Sequence, residues 1–465
     1  MLTYELKKVP GQPLYAALYA FLLQDIRSGA LPAGTKLPSK RTLAENLKVS
    51  RITVEAAYNL LLAEGYLRSV EKVGYFVEEQ LAPEPAPVAM AEMPEEPARD
   101  VLDLTTNGPA RFPFSVWSKL QREVMADYGS QLLQRLPHQG YSQLRQAIAR
   151  HLWDFRGMAV GPENIIIGAG TDFLYNLLIQ LLGREKTYAV EDPGYDKIRK
   201  IYAAGGVRCI SAEMDGQGVR PDRLGTAQVL HISPSHHFPT GIITPINRRA
   251  ELLLWAEQAD GYIIEDDYDS EFRFRSRPMA AMQTMDRQGR VIYMNSFTKS
   301  LAPAIRMAYM VLPQAMTERF HRELGFYSCT VSGFEQYTLA RFLSRGHFEQ
   351  HINRMRKFYK ARRDRMLEAL ADTPWADRLT VLEEDAGLHF LVKVETQLSD
   401  QALTERFACC GIRVHALSSY YRHTVPAEKK HILVINYSGL EEAQLPRLSQ
   451  VQLDENDGTP FPAEE

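Results

Sequence analysis

Lys299 ends SFTK, directly after the apolar run VIYMN, and Arg306 follows seven residues on. Asp266 and Tyr268 close a second apolar run in YIIEDDYD, and Tyr195 follows a third, TYAV, within EDPGY. A fourth run, NIII, opens into Gly168-Ala169-Gly170-Thr171, and Ser296 lies just ahead of Lys299. A partly desolvated lysine of lowered pKa condenses with an aldehyde. A carboxylate can pair with a ring nitrogen and keep it protonated, a phenol can donate to a ring oxygen, and a flat aromatic can stack. A glycine turn opening a helix, with a guanidinium beside it, suits a phosphate. These are the needs of pyridoxal 5'-phosphate. Lys299 would form the Schiff base, Asp266 would face the pyridinium nitrogen, Tyr268 the ring oxygen and Tyr195 the ring face. Gly168, Ala169, Gly170, Thr171, Ser296 and Arg306 would hold the phosphate. Each residue alone also fits a surface charge or a satisfied core group, and the glycine turn alone also fits a simple tight turn. The order in which they occur carries the reading.

Elements must bring these residues together. From about residue 100 the chain alternates short apolar runs with helical segments, the pattern of an α/β fold. NIII, TYAV, YIIED and VIYMN predict strands, and Leu174, Leu177, Leu178 and Leu181 predict the buried stripe of a helix after the glycine turn. In such sheets ligands gather beyond the carboxyl ends of the strands, where every residue above is expected to lie.

A second constellation precedes it. Leu14, Leu18, Phe21, Leu22 and Ile26 repeat at helical spacing, so residues 14–28 predict an amphipathic helix. Ser39 can cap a short helix KRTLAENL, and Ser50 can cap a third whose buried stripe is Val54, Ala57, Tyr58 and Leu61. YLRSVEKVGYFV then predicts a hairpin turning at Glu71–Gly74, which completes a winged helix-turn-helix. Its chemistry suits double-stranded DNA. Ser39, Lys40 and Arg41 start the helix expected to cross the phosphate backbone, and Ser50, Arg51 and Thr53 start the helix expected in the major groove. Arginine can fork onto guanine, and Lys72 at the hairpin tip can reach a neighbouring groove.

Between the two lies EQLAPEPAPVAMAEMPEEPAR, with five prolines and little to bury. It reads as an extended linker, with a long surface loop as the alternative. The expected division is a head of residues 1–78, a linker of 79–100 and a body of 101–465. The 465 residues correspond to roughly three domains of about 150. A hydrophobic share of 45% and a charged share of 24% exclude a mostly disordered chain, a collagen-like repeat and a bare coiled coil. The net charge of -3 argues against a basic surface overall, although the head carries a modest excess of Lys and Arg. The four cysteines form no CxxC pair, no run nears the ~18 apolar residues of a membrane helix, and MLTYELKKVPGQPLY lacks a signal pattern. A reduced cytoplasmic protein is expected, with no metal and no membrane. His231, His236 and His237 invite a metal reading, but they are assigned to the SPSHHFPTG turn, where none is implied. The basic stretch INRMRKFYKARRDR (352–365) is expected to be the solvated face of a long helix.

LPSKRTLAENLKVSRITVEAAYNLLLAEGYL resembles the GntR family of bacterial regulators over residues 10–78. HQGYSQLRQAIARHL (138–152) and SPSHHFPTGIITP (233–245), with the constellation around Lys299, resemble fold-type I aminotransferases over residues 100–455. The fusion resembles the MocR/GabR subfamily. That resemblance implies a homodimer, with the head of one subunit against the large domain of the other, and pyridoxal phosphate, alone or joined to an amine, as the sensing group. It also exposes departures. In LVINYSGLEEA (433–443) the position expected to carry a carboxylate-clamping arginine is assigned to Gly439, with Ser438 beside it. Lys197 replaces a second arginine used by the GABA-responsive member, and Phe238-Pro239 replaces the aminotransferase asparagine before PTG, as elsewhere in the subfamily. The expectation is a regulator that senses pyridoxal phosphate, an amino compound or a D-alanyl dipeptide, GABA being disfavoured, with little or no transaminase turnover. A working aminotransferase with an accessory DNA-binding module is the alternative, and a DNA-binding protein that has lost its cofactor a third reading.

Overall fold

The computed structural model describes residues 4, 6, 13–79, 101–108, 111–274, 280–384 and 387–453. It divides into two compact units, Met1–Ala98 and Arg99–Glu465. Residues 80–100 of the expected linker lie outside the described residues.

In the first unit, α1 (Leu14–Arg27), α2 (Lys40–Leu47) and α3 (Arg51–Ala63) precede the hairpin β1 (Leu67–Val70) and β2 (Gly74–Val77). Ser39 and Ser50 cap α2 and α3, accepting from the amides of Thr42 and Thr53 at 3.1 Å each. Such caps satisfy amides that a helix start leaves unpaired. Lys48 takes the left-handed conformation that ends α2. Leu18, Leu22, Val54, Ala57, Tyr58 and Leu61 are buried together as expected, but Phe21 is partly exposed and stacks on Tyr4. Gly74 belongs to β2, so the turn is one residue tighter than the sequence suggests.

The second unit is built on an eight-stranded sheet. Its order is Ile165–Gly168, Ala308–Val311, Val291–Ser296, Tyr262–Asp266, Val229–Ile232, Thr187–Asp192, Arg208–Asp215, Gly218–Val219. Ala308–Val311 and Gly218–Val219 run against the others. Neighbouring residues of one strand enter different cores. Ile165 and Ile167 pack with residues of the helices Ser142–Arg156 and Gly333–Ser344, whereas Ile166 packs with the Thr171–Leu182 helix. Helices therefore cover both faces, which is why these strands read as continuous apolar runs. A smaller antiparallel sheet follows, ordered Leu379–Leu382, His389–Val394, Ile432–Asn436, His415–Ala416. Among the described residues no helix is long and apolar enough to cross a membrane.

Candidate functional site

The sheet register gathers the expected residues at one edge. Gly168 pairs with Ala308, Ala308 with Ser296, and Asp266 with Met294. The glycine turn, Arg306, Ser296, Tyr268 and Asp266 therefore leave neighbouring strands at the same end, and Lys299 sits in the turn just past Ser296. Burial brings the Lys299 amine down to about 8, while the Asp269 carboxylate opposes the shift. Burial first, and the surrounding carboxylates second, push the Tyr268 phenol well above its usual value, so it stays a proton donor.

Asp266 is buried, and its two oxygens differ. One accepts from the Tyr175 hydroxyl and lies 3.4 Å from His231 Nε2, and His231 Nδ1 is 2.7 Å from the Tyr202 hydroxyl. The other oxygen, Oδ1, is buried without a hydrogen-bond partner. A buried acceptor left open in this way is costly unless a donor completes it. A protonated ring nitrogen is such a donor, so the residues present fit the pyridine of pyridoxal phosphate.

The phosphate turn is organised differently from its sequence reading. Gly168 belongs to the strand, the Ala169 amide donates to Thr330 Oγ1 at 3.0 Å, and the Gly170 amide donates to the Gly168 carbonyl at 2.9 Å. Those two amides are committed within the protein. The donors left to an anion are the first-turn amides of Thr171, Asp172 and Phe173, where the helix dipole also favours negative charge. Gly170 serves another purpose. Its φ is +87°, and a Cβ there would stand 2.8 Å from Arg306 Nη2, so the missing side chain lets the guanidinium lie against the turn. Arg306 itself adopts a left-handed conformation and reaches Asp172 at 3.5 Å.

Tyr195 starts the helix Asp196–Ala204 and remains 52% exposed, its ring edge-on to Phe238 at 6.0 Å. Phe238 also meets Tyr420 and His389 edge-on. Lys197 forms an ion pair with Asp172 at 2.8 Å. The strand Ile432–Asn436 ends three residues before Gly439, the position assigned to the clamp. Gly439 lies in the following turn against Gly108, where a Cβ on Gly108 would come within 2.0 Å of the Gly439 Cα. Backbone fills that space and no side chain fits. Within the strand, Val434 belongs to an apolar cluster with Leu391, Leu417 and Ile432, against which Phe238 and Tyr420 pack. No arginine occurs in Ile432–Asn436.

The three histidines do not act as a set. His231 is in a strand rather than the SPSHHFPTG turn, and it serves Asp266. His236 Nδ1 lies 2.8 Å from Asp269 and 3.4 Å from the Tyr268 hydroxyl, and His237 is pushed down to about 3 by burial, hence neutral. The basic stretch forms part of the long helix His347–Ala371. Arg354, Lys357, Lys360 and Arg365 are exposed, but Arg356 and Arg363 donate to the backbone carbonyls of Glu271 and Glu384. The roles of Tyr175, His231, Asp269 and Thr330 escaped sequence reasoning because sheet register and helix packing bring them in.

In the head, Ser39, Arg41, Ser50, Arg51 and Lys72 are exposed, and Thr53 is half-buried. Arg41 and Arg51 border a concavity between the starts of α2 and α3 and the hairpin, with Lys36 and Tyr75 also in its lining. Lys40 starts α2 as expected and is also engaged within the head. Its ammonium is 2.6 Å from Glu55 and 5.4 Å from the centre of the Tyr75 ring, so it braces α2 against α3 and the hairpin. Lys36, Lys40, Arg41, itself paired with Glu45, and Arg51 supply positive charge to the lining of that concavity, and exposed Lys72 stands next to Val73 of the same lining.

The family described as bacterial regulatory proteins, gntR family, matches residues 14–77, and aminotransferase class I and II matches residues 99–448. The uncharacterized HTH-type transcriptional regulator YdeL of Bacillus subtilis (strain 168) is 34% identical over 93% of this chain and 94% of its own length. The probable rhizopine catabolism regulatory protein MocR of Rhizobium meliloti is 33% identical over 92% and 91% respectively. A crystal structure of Pyrococcus horikoshii kynurenine aminotransferase, in complex with PMP, KYN and KYA, matches with a TM-score of 0.66 and 25% identity, over 76% of this chain and 91% of that one. The molecule is thus a GntR-type helix-turn-helix domain joined to a fold-type I aminotransferase domain. The chain belongs to the MocR/GabR subfamily of GntR-type transcriptional regulators.

Proposed function

We propose that this protein is a cytoplasmic regulator that binds promoter DNA through residues 1–78 and senses pyridoxal phosphate or an amino compound through residues 101–465, with residues 79–100 as the linker. The observation that carries the sensing part is the open, buried oxygen of Asp266 at the same sheet edge as the desolvated Lys299 amine. When bound, pyridoxal phosphate supplies an aldehyde that condenses reversibly with primary amines. Lys299 would hold it covalently and Asp266 would fix the ring-nitrogen proton. Tyr268 would donate to the ring oxygen, and Tyr195, exposed on one side, would cover the ring. Arg306, Ser296 and the amides of Thr171, Asp172 and Phe173 would bind the phosphate.

Among the described residues, the strand Ile432–Asn436 carries no arginine to orient a substrate carboxylate. A bidentate arginine clamp orients a carboxylate through charge-assisted bonds worth roughly 1.5–3 kcal/mol each. Here that strand is apolar, with Val434 packed beside Leu391, Leu417 and Ile432, and Lys197 is held by Asp172. We therefore read the body as a sensor with little or no transaminase activity. The protein would act as a homodimer in which a ligand with unequal affinity for two arrangements shifts DNA binding. Gel shift on the upstream intergenic DNA, together with a keto-acid amination assay, tests this reading. Specific DNA binding without sustained turnover is expected. Sustained turnover without sequence-specific DNA binding would establish the aminotransferase reading instead.

A further inference from the structure

Ile52 is 77% exposed, one of the most exposed large apolar side chains among the described residues, and it stands in the first turn of α3 between Arg51 and Thr53. At about 100° per residue, Ile52 points directly away from the buried stripe of Val54, Ala57, Tyr58 and Leu61. Half-buried Ala56 and exposed Asn59 continue the same outward line. The polar residues Arg51 and Thr53 flank that line rather than occupy it, and Ser50 is the cap ahead of it. Glu55, the acidic residue of this region of α3, is paired with Lys40, so the outward line carries no open negative charge near its start. Lys36, Arg41 and Arg51, lining the adjoining concavity, supply positive charge beside it.

A recognition helix reads bases with the amino-terminal residues of its outward face. An aliphatic side chain there has one apolar partner on a base edge, the C5-methyl of thymine. We propose that Ile52 is a specificity residue that selects a thymine in each half-site by packing on its methyl group. The proposal rests on the DNA-binding reading of the head and adds a base to it. Adenine and guanine present N7 with an amine or a carbonyl at that edge, and unmodified cytosine an N4 amine and a C5–H, so none offers Ile52 a methyl group.

The test uses the full chain. Its preferred duplex is first selected from a random pool. Each thymine of a half-site is then replaced singly by deoxyuridine, which deletes the methyl and nothing else. Burying one methyl is worth about 0.8 kcal/mol, or roughly fourfold in affinity. The expected result is one position per half-site at which uracil weakens wild type about fourfold and Ile52→Ala not at all, with the other positions unchanged between the two proteins. Because Ile52 is exposed, the alanine variant keeps the core of the head, and Ile52→Val should retain most of the discrimination. Specific binding with no position whose uracil penalty depends on residue 52, or a selected half-site lacking a fixed thymine, would overturn the proposal and leave the DNA-binding reading standing. Failure to select any sequence would overturn both.

Discussion

Asp266→Asn alters one end of one side chain, and its effect follows from the difference between the two carboxylate oxygens. The amide oxygen can keep the bond from Tyr175, with His231 beside it. The amide nitrogen then replaces the oxygen that has no partner in the protein. If that oxygen accepts from the ring nitrogen of pyridoxal phosphate, the variant exchanges an acceptor for a donor facing the protonated ring. Hydrogen bonds to charged groups contribute about 1.5–3 kcal/mol, so the cofactor should bind roughly ten- to a hundredfold more weakly. Titration of stripped protein with pyridoxal phosphate, followed by visible absorbance, gives the affinity directly. Thermal unfolding of the stripped protein should change little, which separates a binding defect from a folding defect. Equal affinity for wild type and Asp266→Asn, at equal stability, would refute the assignment of Asp266 to the ring nitrogen.

Gly170→Ala should weaken cofactor binding about tenfold or more and lower stability by ~1–3 kcal/mol, because a Cβ collides with Arg306 at a positive φ; isothermal titration with pyridoxal phosphate and thermal unfolding measure both. The rate at which Lys299 captures pyridoxal phosphate should rise with pH through a midpoint near 8, where half of the amine is neutral, and level off above it, whereas an ordinary lysine would reach its midpoint only at about 10.4. Borohydride trapping at short times, with the modified peptide identified by mass spectrometry, gives that profile, and a plateau near that of an ordinary lysine would contradict the burial of the amine. Arg51→Ala should relax base preference at one position by about 1–3 kcal/mol, whereas Lys72→Ala should weaken all sequences alike and reduce the salt slope by about 1. Anisotropy titrations on a panel of altered operators distinguish the two.

Much of this was legible because local signals and tertiary demands agree. The Ser39 and Ser50 caps, the α2 and α3 boundaries and the apolar runs ending at Asp266 and Ser296 depend on residues within a few positions of one another. The role of Tyr175 at Asp266 was not legible, since it depends on a helix packing over strands about ninety residues away in the chain. The commitments of the Ala169 amide to Thr330 and of Lys40 to Glu55 were hidden for the same reason. Spacing along the chain does not show that the strand before Gly439 ends at Asn436. Only the close approach of Gly108 shows that backbone fills the place of a side chain. The apolar wall at Val434 depends on strand facing, which one residue of register reverses.

In the proposed regulator, the group held by Lys299 governs what the winged head does. Fluorescence anisotropy of the selected operator duplex, measured with stripped wild type and Lys299→Ala, each with and without pyridoxal phosphate, tests it directly. Wild-type affinity for DNA should change at least about fivefold when the cofactor is attached, the lower range of typical coupling between sites, and Lys299→Ala should not respond. Superimposable wild-type binding curves, with attachment to Lys299 confirmed by borohydride trapping, would contradict the account.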